Sequence, residues 1–350
     1  MKKSAALILA CVLIAFALYG TFQLLVPLPV ADNTAEIEIP KGTTFRQAAE
    51  IFSRARVIRE KNLFVFIGRI TGIDRKIRAG FYAVDNTMNL LDLLRALKIG
   101  QIVEYDITVI EGDSLREIAA KFAERNIIQE GEFRKLVSDS DFLAAYRIDA
   151  PSVEGFLYPD TYKIPKGMEP RDAVGMMIDT MRQHFSEDLR ARALEIGMSE
   201  TEVLTLASII EKEAAADEER PLISAVYHNR LKKKMLLQAD PTAIYGIKSS
   251  REKITLEDLK KRTPYNTYTT EGLPPGPIAS AGIKSITAAL YPADVPYLFF
   301  VSNNDGTHHF SATAAEHEVA VKAYREKKQA ADMQRKTEDS QGNSKGHDTS

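Results

Sequence analysis

Blocks of hydrophobic and polar residues follow one another along this chain with periods that change from region to region. After Met1-Lys2-Lys3, a mostly apolar run extends from Ala5 to Val26, long enough to cross a bilayer as a helix. Two lysines precede the run and no second span follows. This predicts residues 1 to 4 in the cytoplasm, a transmembrane helix over residues 5 to 26, and the rest of the chain outside. The run is long for a cleaved signal, and Pro27-Leu28-Pro29 offers no small-residue cleavage site. Ile8-Leu9-Ala10-Cys11 resembles a lipoprotein signal only loosely, because the apolar run continues well past Cys11.

After a polar linker at residues 30 to 36, the pattern alternates and a repeat emerges. Ile37-Glu38-Ile39-Pro40-Lys41-Gly42-Thr43-Thr44-Phe45 aligns with Ile107-Thr108-Val109-Ile110-Glu111-Gly112-Asp113-Ser114-Leu115, an offset of 112 − 42 = 70. Beyond these, Ala49, Phe52, Val57 and Ile58 match Ala119, Phe122, Ile127 and Ile128. Each copy predicts an alternating strand, a glycine turn, a Thr or Ser cap and an amphipathic helix. Such units resemble the LysM modules that grip wall polysaccharide; a small α+β domain that merely positions the C-terminal part of the chain would read the same way. Between the copies the pattern predicts a helix over Leu63 to Ile70, a strand over Gly80 to Val84 and a helix over Leu90 to Lys98. Together these make a first soluble region of residues 34 to 125.

From Gly131 the periodicity is helical, broken by Glu154-Gly155-Phe156-Leu157-Tyr158-Pro159-Asp160-Thr161-Tyr162, which is rich in turn residues and aromatics. One long helix is expected over Asp172 to Ile196, with Met176, Met177, Met181 and Phe185 as core residues, and another over Glu218 to Lys233. A strand is expected over Tyr297 to Val301, with His308 and His309 near it in structural roles. A second domain spans residues 130 to 327. The polar end, residues 328 to 350, reads as disordered.

One helix stands apart. Ser199 with Glu202 three residues on is a capping-box start, and Val203, Leu206, Ile209 and Ile210 then recur at helical spacing. With Leu206 as zero and about 100° per residue, Ile210 falls near 40°, Val203 near 60°, Ile209 near 300° and Glu213 near 340°. Glu213 thus lies in the apolar stripe, whereas Glu211, near about 140°, lies at the edge of a polar face. A carboxyl in an apolar setting keeps its proton near neutral pH, as a general acid requires. A helix end reaching solvent past Ala214 would explain the same pattern without chemistry.

Composition narrows the picture. The 350 residues are 45% hydrophobic and 27% charged, with a formal net charge of −2, which gives no reason to expect nucleic acid as a partner. The single cysteine lies in the leader, so no intramolecular disulfide is possible. The histidines form no Cys/His cluster and no metal or other cofactor is implied. No tryptophan is present, so any sugar-stacking platform must be Tyr or Phe.

Downstream of the helix come turns dense in hydrogen-bonding and aromatic groups, which suit a cleft for a polar, flat-faced ligand such as a sugar chain. Taken in order after a single membrane anchor, S-I-I-E-K-E-A, N-R-L, L-Q-A-D-P-T-A-I-Y-G, P-Y-N-T-Y and G-L-P-P-G-P-I resemble the endolytic murein transglycosylase family (MltG, YceG-like). The resemblance covers nearly the whole chain, including E-G-F-L-Y-P-D-T-Y; Ala214 stands where Thr is frequent, and the polar tail is extra. It implies an inner-membrane enzyme, facing the periplasm or wall, that cuts nascent peptidoglycan strands internally and leaves a 1,6-anhydromuramoyl end. It also implies that Glu213, the second Glu of the E-K-E triplet, is the catalytic residue, and that the second domain is distantly lysozyme-like.

The overall expectation is therefore an α+β membrane protein: one N-terminal span, a LysM-like region, then a mostly helical catalytic domain. Glu211 and Asp240 are candidates for catalytic support. Asn229, Gln238, Asn266 and Tyr268 are candidates for substrate binding, because amides and hydroxyls hydrogen-bond N-acetyl and sugar hydroxyl groups. Glycan strands are the expected partner, with wall synthases as further partners. Hydrolysis by water and a non-catalytic wall-binding scaffold are the rival readings.

Overall fold

The computed structural model describes residues 2–31, 33–248 and 252–344. Its chain divides into two compact units: Met1–Ile107 with Tyr162–Glu169, and Thr108–Thr161 with Pro170–Ser350. Helices dominate, and the strands pair only into two-stranded sheets among the described residues.

The first unit begins with α1 (Lys2–Leu25), whose stretch Leu7–Leu25 is long and apolar enough to cross a membrane. Its end is fastened to the unit. Leu24 packs on the core, the Leu28 N–H donates to the Met88 carbonyl at 2.7 Å, and Arg59 donates to the Pro27 carbonyl at 2.8 Å. β1 (Thr34–Ile39) runs antiparallel to β2 (Gly80–Asp85), with Thr34 opposite Asp85 and Ile39 opposite Gly80. Period-2 alternation turns Ile37, Ile39, Tyr82 and Val84 inward. There they meet α2 (Phe45–Arg54), α3 (Lys61–Ile70) and α4 (Leu90–Ile99), and the rings of Phe45 and Phe64 stack with centroids 5.0 Å apart. β3 (Glu104–Thr108) pairs with β4 (Thr161–Pro165).

In the second unit, α5 (Leu115–Glu124), α6 (Glu130–Val137) and α7 (Ser140–Ala145) precede α8 (Pro170–His184) and α9 (Glu187–Glu195). The central helix α10 (Glu200–Glu213) packs against α11 (Arg220–Lys232), α12 (Asp240–Ile244) and α14 (Ile283–Leu290). α13 (Leu256–Lys260) precedes α14, and after α14 come the hairpin of β5 (Phe299–Ser302) and β6 (His308–Ser311) and then α15 (Ala314–Ser344).

The repeat is real at the level of local structure. Gly42 and Gly112 both have positive φ, +80° and +84°, where a side chain would be strained. Thr44 and Ser114 both close capping boxes, with Gln47 and Glu117 respectively. Each helix is followed by a left-handed non-glycine residue, Arg56 at φ 57° and Asn126 at φ 54°, at the same offset, 126 − 56 = 70. Similar local structure does not mean similar packing, however. The division expected after residue 125 falls instead at Ile107, because the second copy is built into the second unit: Phe122 packs on Phe133 at 5.5 Å, and Lys212 of α10 donates to the Gly112 carbonyl at 3.1 Å.

Three local expectations change. The long helix over residues 172 to 196 is two helices, because Ser186 caps α9 by accepting from the Leu189 N–H. Residues 328 to 344 are helical rather than disordered, a stretch rich in Ala, Glu, Lys, Gln and Arg; residues 345 to 350 lie outside the described residues. Finally, α10 is no half-buried amphipathic helix. All residues from Val203 to Ile210 are buried, so the core surrounds it, and Ser208 Oγ accepts the Ile278 N–H at 3.0 Å.

Candidate active site

The capping box at Ser199 fixes the start of α10, and 14 residues later the helix ends at Glu213 on the wall of a cleft of about 470 Å³. Asp240, Tyr245 and Lys248 line the same cleft, as do Ser114, Arg116 and Glu117 from the start of α5. Thus the second repeat copy supplies a wall facing the helix end.

Around Glu213 the protein is dense. Tyr227 of α11, itself buried, donates its O–H to Glu213 Oε1 at 3.3 Å, and the Asp240 backbone N–H also serves the carboxyl. Burial pushes the Glu213 carboxyl up to about 8, the negative charge of Asp240 adds to the rise, and the two hydrogen bonds oppose it. The group therefore holds its proton at neutral pH. Asp240, at the start of α12, accepts a 2.5 Å hydrogen bond from the Tyr268 hydroxyl. Burial and the Asp240 carboxylate both raise the Tyr268 phenol, so it remains a donor.

A second buried carboxyl lies in the same unit. Glu154 is 2% exposed and accepts the Leu115 N–H with both oxygens at 3.1 Å, while the Tyr245 hydroxyl donates to its Oε2 at 2.8 Å. Burial pushes it up to about 7, against those hydrogen bonds. Gly155 beside it needs both its φ of +76° and its lack of a side chain, since a Cβ there would stand 2.3 Å from Pro277 Cβ.

The candidates from sequence separate into two groups. Glu213, Asp240 and Tyr268 come together. Glu211 does not sit at a polar edge: its side chain is 6% exposed and pairs with Arg220 at 2.9 Å. Because α10 is surrounded, the face opposite the apolar stripe is also interior. Asn229 gives its amide to the carbonyls of Val295 and Tyr297, at 2.8 and 3.0 Å. Asn266 is fully buried and donates to the carbonyls of Asp258, Leu259 and Lys261. Both amides hold loops. Gln238 is exposed at φ 51°, and its Oε1 accepts from Arg230 at 3.1 Å.

Sequence reasoning missed Tyr227, Arg230, Glu154 and Tyr245. Arg230 is 7% exposed and also donates to the carbonyls of Leu298, Leu236 and Leu237, which ties α11 to two further segments. Glu154 lay in a motif that was legible as turn and aromatics; an acid within an aromatic, glycine-bearing run was the available signal. Tyr227 carried none, since an aromatic on a buried helix reads as core.

The model of the YceG-like family matches residues 37–323. The chain belongs to that family. A relative from Bacillus subtilis named endolytic murein transglycosylase is 32% identical over 324 residues, 88% of this chain and 89% of its own length. One of the same name from Streptococcus pneumoniae is 25% identical over 336 residues, which are 84% of this chain but 59% of that protein. A solved structure of a YceG-like protein from Listeria monocytogenes is 31% identical, covers 82% of this chain and 99% of that one, and superposes with a TM-score of 0.57. This YceG-like chain keeps Glu213, Asp240 and Tyr227 together at the end of α10.

Proposed function

We propose that this protein is an endolytic peptidoglycan lytic transglycosylase that cuts glycan strands between N-acetylmuramic acid and N-acetylglucosamine, with Glu213 as the acid and base. The observation that carries the reading is a carboxyl kept protonated to about 8 at the wall of a cleft. The names of its relatives support the substrate.

One carboxyl suffices for the chemistry. Protonated Glu213 gives its proton to the glycosidic oxygen as the bond from C1 of the muramoyl residue breaks, and the N-acetylglucosamine leaves with a free 4-hydroxyl. The resulting carboxylate takes the proton of the muramoyl C6 hydroxyl as that oxygen bonds to C1. The ring closes to a 1,6-anhydro end, Glu213 recovers its proton, and no water is consumed. The second carboxylate of ordinary glycosidases is not required as a nucleophile. Burial, with the charge of Asp240 adding to it, keeps the proton on Glu213, and the same Asp240 charge stabilises the positive charge growing at C1.

The remaining assignments belong to the same proposal. The two strand-turn-helix copies are LysM-like glycan-gripping elements, the second unit is distantly lysozyme-like, and the polypeptide after α1 lies outside the cytoplasm, beside the wall synthases whose product it cuts. Mass spectrometry of digested strands tests the reaction. Muramoyl ends lighter by one water are expected; hydrated reducing ends would make the enzyme a hydrolase, and uncut strands would leave a binding protein.

A further inference from the structure

Of the described residues that line the cleft, one is aromatic: Tyr245. It directly follows α12, the short helix that begins with Asp240, and Gly246 after it turns the chain away at φ +74°. Its hydroxyl is not free to serve a ligand, because it donates to Glu154, which is buried beneath. The ring of Tyr265 rests against it with centroids 4.5 Å apart. A phenol held by its oxygen and backed by a second ring has only ring surface left to present. Sugars offer C–H faces that pack on such surface, and the chain has no tryptophan for the purpose.

Glu154 does more than hold one ring. The same carboxylate receives the Leu115 N–H, the first N–H of α5, and α5 supplies the facing wall through Ser114, Arg116 and Glu117. A buried carboxylate therefore joins the aromatic side of the cleft to its polar side.

We propose that Tyr245 is the aromatic platform on which a sugar of the strand stacks beside Glu213, and that Glu154 is the positioning residue that fixes the ring and the width of the cleft. This deepens the glycan reading of the cleft and rests on it.

The test is steady-state cleavage of purified glycan strands by the full-length protein. Tyr245→Ala should raise KM at least about fivefold, while the kcat pH profile set by Glu213 stays in place. Tyr245→Phe keeps the ring but loses its tether to Glu154, so its KM should lie between those of the wild type and Tyr245→Ala. Glu154→Ala should raise KM, and Glu154→Gln, whose amide oxygen still accepts the phenol proton, should restore most of it. Tyr245→Trp places the only indole of the chain on the platform, so adding an N-acetylglucosamine tetramer should shift its emission. An unchanged KM in Tyr245→Ala, equal KM values for the Ala and Phe variants, or a Trp emission indifferent to the tetramer each overturns the platform. If Tyr245→Ala does not fold, the Trp and Phe variants decide alone. Failure of the wild type to cut strands would overturn the cleavage reading and leave the Trp emission to decide the platform, whereas a cutting wild type with an indifferent Tyr245 removes only the platform.

Discussion

Glu211 Oε1 lies 2.9 Å from a terminal nitrogen of Arg220, with both side chains more than nine-tenths buried, while the other Glu211 oxygen accepts the Gly282 N–H at 3.0 Å. This pair ties α10 to α11 and to the start of α14. Removing the Glu211 charge leaves the buried Arg220 with Asp217, half-exposed and 3.0 Å away, as its charged partner, so part of the roughly 3–5 kcal/mol cost of breaking a buried pair is incurred. Glu211→Gln should therefore lower the melting temperature markedly, yet leave cleavage per folded molecule largely intact. A normal melt with lost activity would move Glu211 into the chemistry.

Glu213→Gln preserves shape but carries no transferable proton. Cleavage should fall by a factor of about 10² to 10⁴. The melting temperature should hold or rise, because a buried acid is replaced by a neutral amide. Comparing the two variants separates two carboxyls that are only two residues apart.

The raised carboxyls set the pH dependence. As an acid, Glu213 must be protonated, so cleavage should decline as pH rises through about 8. Folding stability should move the same way. The folded state holds this proton more tightly than a free Glu of 4.5, so its contribution is complete below 4.5 and is lost as pH rises to about 8. Glu154 adds the same trend, lost through about 7. Denaturant titrations between these limits should show wild-type stability falling, with a flatter dependence in Glu213→Gln.

Gly155 offers a purely steric test. Gly155→Ala places a methyl against Pro277 and forces a side chain into φ +76°, beside Glu154. A loss of roughly 1–3 kcal/mol is expected from the backbone alone, with more from the clash, read as a lower melting temperature. An unchanged melt would show that the Pro277 segment gives way.

Local signals carried far. The capping box at Ser199, the repeat at offset 70 and the ends of α3, α4 and α11 were all legible because each rests on neighbours in sequence. The position of Glu213 was legible for the same reason. Its surroundings were not: Tyr227, Tyr245 and Glu154 act through contacts between distant segments. The misreading of Glu211 has the same origin, since a helical wheel assumes one wet face and α10 has none over Val203 to Ile210. Asn229 and Asn266 were legible as hydrogen-bonding residues; whether their partners were sugars or their own loops was a tertiary question.

The chain crosses between its two units three times, after Ile107, after Thr161 and after Glu169. Neither unit is then a module in the genetic sense. A protein emerging N-terminus first cannot complete the first unit until residue 169 has been made, by which point the second has already begun. No single recombination junction can exchange one unit and leave the other whole. A single deletion that removes the whole of the unit bearing the long apolar helix therefore also removes part of the unit holding Glu213.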